Sequence, residues 1–106
     1  MLSLPPKPTM DNFQEYVRQL ERERGFTGQS AIQKCLLFGE EVGELFKAVR
    51  KRDAILRIDS NSKIGNIEEE LADILIYLCM IANKYDINLE QAFREKEEKN
   101  KTRTWE

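Results

Sequence analysis

The chain has 106 residues, 34% of them charged, with 17 basic and 19 acidic side chains that leave a formal net charge of -2. That balance lacks the basic excess with which proteins displace counterions from nucleic acid, so nucleic-acid binding is not expected. Histidine is absent, which removes imidazole acid-base chemistry, Ser-His-Asp triads and the usual zinc sites; catalysis would have to come from carboxylates, lysine, tyrosine or a metal.

Residues 1–10 are proline-rich and lack the apolar stretch of a signal peptide, and read as a flexible leader before one domain over residues 11–105. A first helix is expected from about Asp11 to Arg24, with Phe13, Val17 and Leu20 on one side, Asp11 as cap, and Gly25 and Gly28 ending it. A second runs from about Ser30 to Arg52, where Cys35, Phe38, Val42, Leu45, Phe46 and Val49 form an apolar stripe at helical spacing.

The pattern fails from Asp53 to Gly65, and Asp59-Ser60-Asn61-Ser62 reads as a mobile loop. A third helix follows from about Asn66 to Lys84, and a fourth from Ile87 to about Lys101 with Asn88, or alternatively Asp86, as its cap. No strand-like alternation competes with these four segments, so the expected class is all-α and four-helix-bundle-like.

The run Ile74 to Ala82 is apolar or aromatic all round, yet too short to cross a bilayer. A helix apolar on every face is buried on every face, so part of this third helix is expected to lie in a homodimer interface, in a homodimer or a homotetramer that is a dimer of dimers. Cys35 and Cys79 sit in apolar patterns without a CxxC pairing and read as reduced core residues of a cytoplasmic protein.

Glu41 and Glu44 are three residues apart on the second helix, with Cβ atoms about 5 to 6 Å apart. Glu41 borders the apolar stripe, whereas Glu40 points about 100° away. Glu70 and Asp73 repeat the spacing on the third helix, and Tyr77 shares their side. Asp73 precedes the apolar run directly, where an unpaired carboxylate is costly and a cation relieves it. Two such pairs facing each other would form an oxygen-only cage for Mg²⁺ or Mn²⁺, with Glu40 as a second-ion ligand or general base. A solvated acidic helix face is the competing reading. An EF-hand over Asp59 to Glu70 fails because Ile64 stands where glycine is required.

The motifs EEVGELFKA at 40–48, EELADILIY at 69–77 and KEEKNKTR at 96–103 resemble, in this order, the MazG-type nucleotide pyrophosphohydrolases of the all-α NTP pyrophosphatase superfamily. The resemblance implies a dimerising helical protein that cleaves a nucleoside triphosphate between its α- and β-phosphates with Mg²⁺, giving monophosphate and pyrophosphate in nucleotide-pool housekeeping. It places Glu41, Glu44, Glu70 and Asp73 at metal-ligand positions and Tyr77 near the nucleotide. Lys96 and Asn100 match a K-x-x-x-N element that contacts phosphate or nucleoside, with Lys96 also a catalytic candidate, and Arg103 is a further phosphate candidate. Lys34 and Lys47 have only their charge to commend them. The related phosphoribosyl-ATP pyrophosphohydrolases are an alternative, though they carry a histidine where this chain has Leu78. A noncatalytic helical interaction module is the alternative from another class.

Overall fold

The computed structural model describes residues 2–54, 56–61 and 63–105. The described residues form four α-helices and no strand: α1 Met10–Arg24, α2 Ala31–Asp53, α3 Ile67–Lys84 and α4 Leu89–Asn100. The all-α expectation is met, and each helix start has a local chemical cause.

The first cap is Thr9 and not Asp11. Thr9 Oγ1 accepts from the Asn12 N–H at 3.2 Å and Asn12 Oδ1 accepts from the Thr9 N–H at 2.8 Å, a reciprocal box that satisfies two orphan donors. Ser30 and Gln33 repeat it at the start of α2, with bonds of 3.1 and 2.8 Å. Asn66 Oδ1 accepts from the Glu69 N–H at 2.8 Å, so Asn66 caps α3 and does not belong to it. Asn88 caps α4. Asp86, the alternative cap, instead occupies the left-handed region with φ 54° in the α3–α4 turn, a conformation aspartate tolerates better than most residues. Helix α1 ends at Gly25, whose φ of 75° is the left-handed closure that glycine adopts without strain.

The chain divides into two compact units. One comprises residues 1–28 and 79–106, the other residues 29–78, so α3 contributes to both. In the first unit α1 packs on α4, and Val17, Leu20, Cys79, Met80 and Ala82 are buried. Its polar centre is Gln14, only 3% exposed. Gln14 Nε2 donates to Asn83 Oδ1 at 3.0 Å and to the Ile87 carbonyl at 2.8 Å, while its Oε1 accepts from the Leu89 N–H at 2.9 Å. Asn83 Nδ2 returns a bond to the Gln14 carbonyl at 2.9 Å.

The second unit carries α2 and the first part of α3. Ala48 is its buried apolar residue, while Ile32, Leu36, Phe46, Leu56, Leu71 and Leu78 are exposed. Cys35 is exposed too, which corrects its assignment to the core; Cys79 is fully buried as expected, and both are free thiols. The physical reason is that Cys35 lies on the side of α2 that this chain leaves uncovered, next to Ile32 and Leu36. The described residues between α2 and α3 have no regular structure, and there Asp59 Oδ1 accepts from the Asn61 N–H at 2.9 Å; Ser62 of the expected loop falls outside the described residues. No helix among the described residues is long and apolar enough to cross a membrane.

Candidate metal centre

Within the second unit, α2 delivers Glu41 and α3 delivers Glu70 and Asp73 to one place. One oxygen from each carboxylate lies within 4.8 Å of the others. Helical periodicity explains the convergence on α3, because residues at i and i+3 share a face. Glu70 is 8% exposed, and Glu41 and Asp73 are half-buried.

The electrostatics carry the mark of crowded negative charge. Burial, followed by the charges of Asp73 and Glu70, a side-chain hydrogen bond with Glu70 and the charge of Glu44, pushes the Glu41 carboxyl above its ordinary value of 4.5. Burial also raises the Tyr77 hydroxyl, and the charges of Glu41, Asp73 and Glu40 raise it further. Tyr77 therefore senses the cluster.

The donor set suits a hard divalent cation: all ligands are oxygens, the charge is in excess, and partial burial penalises that excess in a metal-free state. These three carboxylates can hold a metal ion. Glu44 lies close enough to raise the Glu41 value, but it stands outside the three-carboxylate group and its Oε1 lies 3.6 Å from Lys47 Nζ. Glu40 is exposed. Lys34, named for its charge alone, is 1% exposed, so a role as a solvent-facing phosphate ligand does not suit it.

Lys96, Asn100 and Arg103 belong to the other unit. Lys96 is exposed on α4. Asn100 is half-buried, its Nδ2 donates to Glu97 Oε2 at 3.4 Å, and its Oδ1 is buried without a hydrogen-bond partner among the described residues. The Arg103 guanidinium stacks 4.5 Å from the centre of the Trp105 ring, a cation-π contact.

Residues 26–105 match the family model of the MazG nucleotide pyrophosphohydrolase domain. The chain belongs to the MazG family. Among solved structures, iMazG from Vibrio DAT 722 is similar at a TM-score of 0.62 and 27% identity, over 92% of this chain and 99% of that one. No curated protein matches. The MazG match spans α2, the three converging carboxylates and α4, and begins after α1. The sequence reading overlooked the space at Gly65 beside Glu70 and the capping role of Asn66 in the first turn of α3; the Asn-x-x-Glu pattern ahead of an apolar run was the signal for the cap.

Proposed function

We propose that this MazG protein is a Mg²⁺-dependent nucleoside triphosphate pyrophosphohydrolase that cleaves between the α- and β-phosphates. The observation that carries this reading is the convergence of Glu41, Glu70 and Asp73 from two helices in a chain of this family. Those three residues would hold the ion, with Mn²⁺ as a substitute and Glu44 as a further ligand once it turns from Lys47. When bound, the metal supplies neutralisation of phosphate charge and activation of water.

The chain's own side chains supply the rest. Glu40, exposed and next to Glu41 in sequence, is the candidate to accept the proton of a water that attacks the α-phosphorus. The α–β bridging P–O bond then breaks, and its oxygen leaves with pyrophosphate. Tyr77 offers an aromatic face beside the carboxylates, and by the family resemblance Lys96, Asn100 and Arg103 are the candidates, from this chain or from a second copy, for contacts to phosphates and nucleoside. A cytoplasmic setting suits the two free thiols.

The test is product analysis across ordinary, deoxy and damaged nucleoside triphosphates. Stoichiometric pyrophosphate and monophosphate, abolished by EDTA and restored by Mg²⁺, is the expected result. Full activity in EDTA, or release of inorganic phosphate with diphosphate, would refute the reading.

Assembly belongs to the same proposal. Ile32, Leu36, Gly39, Gly43 and Phe46 follow one another at spacings of four and three along α2, a seam-like pattern for a facing helix. Phe46 is 66% exposed, and a Cβ at Gly39 or Gly43 would meet nothing within 4 Å, so nothing among the described residues demands these helix-interior glycines. Each costs about 1 kcal/mol of helix stability relative to alanine, a cost offset when a second helix approaches closely. A homodimer or dimer of dimers built on this face is expected by light scattering. Leu36→Glu with Phe46→Glu should shift the protein to monomer, and a wild-type monomer at micromolar concentration would refute the assembly.

A further inference from the structure

We infer that Gly65 is a positioning residue for the carboxylate cluster: its missing side chain leaves the space that Glu70 Oε1 occupies. This rests on the metal-centre reading above. Gly65 is half-buried just before α3, and a Cβ there would collide with Glu70 Oε1, standing 3.4 Å from Glu70 Cδ and 3.6 Å from Glu69 Oε2. Backbone conformation is not the reason for glycine here, because Gly25 is the described glycine with positive φ. Nor is the crowding general, since a Cβ at Gly25, Gly28, Gly39 or Gly43 meets nothing within 4 Å.

The two neighbouring glutamates differ in freedom. Glu69 is tied to the cap, its N–H donating to Asn66 Oδ1 at 2.8 Å and its Oε1 accepting from Asn66 Nδ2 at 3.1 Å. Glu70 is the one that would move. The atom displaced is the far end of a flexible side chain, so the fold accommodates an alanine at small cost through a rotamer change. The cluster does not, because that atom belongs to one of its three carboxylates. Gly65 thus separates two properties usually lost together, stability and cation affinity.

The experiment is a Mn²⁺ titration of the full chain without nucleotide, followed by the EPR signal of free Mn²⁺, beside thermal melting in chelator. Gly65→Ala is expected to weaken Mn²⁺ binding about 10-fold, the scale of a disturbed ligand-positioning shell. Its melting temperature in chelator should stay near that of wild type. Gly28→Ala, the control, should change neither.

Wild-type Mn²⁺ affinity in Gly65→Ala would overturn the assignment and leave the metal centre standing. A wild-type chain that takes up no Mn²⁺ would overturn the metal centre and this assignment with it. If Gly65→Ala fails to fold, adding Glu70→Ala removes the group that the new Cβ meets and should restore folding; an unfolded double variant would overturn the assignment.

Discussion

Glu41→Gln and Asp73→Asn are each expected to cut pyrophosphate release about 100-fold or more, the scale of losing several kcal/mol of transition-state charge stabilisation, without destabilising the metal-free protein. The second half of this result distinguishes carboxylates crowded together at some cost to the fold from carboxylates that hold the fold together. In the folded chain the Glu41 carboxyl is raised above its ordinary value of 4.5 by burial and by Asp73 and Glu70, so the folded state holds its proton more tightly than the unfolded state. The stabilisation from that proton is fully present below the ordinary value and is lost as pH rises through the raised folded value. Metal-free wild type should therefore gain stability on acidification from neutral pH towards that value. Glu41→Gln, uncharged throughout, should lose this part of the pH dependence and match or exceed wild type in chelator at pH 7. Thermal melts in chelator at several pH values, run beside the pyrophosphate assay, decide it. Near-wild-type turnover in either variant would remove that residue from the site.

The largest loss of stability is expected at Gln14. Gln14→Leu keeps the volume close but leaves Asn83 Oδ1, the Ile87 carbonyl and the Leu89 N–H without their partner. Buried polar groups left unpaired cost about 1–3 kcal/mol each when water cannot replace the bond. We expect a total of about 2–4 kcal/mol, read as a fall of roughly 10 °C or more in melting temperature for a domain of this size. Gln19→Leu on the same helix is the control. Gln19 is exposed and bonds Glu15 alone among the described residues, at 3.3 Å, so its replacement should be close to neutral. Equal melting temperatures for the two variants would show that the Gln14 bonds contribute little.

Much of the helical framework was readable from local chemistry. The starts of α2 and α4 follow from Ser30 and Asn88, residues whose side chains bond the backbone two or three positions on. Asp11 was an equally good cap by composition, but Thr9 and Asn12 satisfy each other in a box, while Asp11 accepts from Asn88 Nδ2 at 2.7 Å across 77 residues. Periodicity identified the apolar stripe of α2 and could not say what lies against it, which is why Cys35 and Phe46 were expected inside and are exposed.

The acidic spacing on each helix is local and was legible. Which members converge is not. Glu44 has the same i+3 relation to Lys47 as to Glu41, and the cation holds its carboxylate at 3.6 Å. The space that Gly65 leaves for Glu70 depends on a turn whose composition alone reads only as a loop end. Gln14 looks like a routine polar helix residue, and its partners lie 69 to 75 positions later.

That separation bears on the order in which the chain can be assembled at the ribosome. Helix α1 emerges first, yet the carboxamide of Gln14 has nothing to bond until Asn83, Ile87 and Leu89 have been synthesised, and closing so long a loop costs entropy before any bond repays it. The first helix must wait for the last. Deleting the C-terminal segment would therefore strand the Gln14 amide, and deleting the first helix would strand its partners Asn83, Ile87 and Leu89, so either truncation should loosen the same unit.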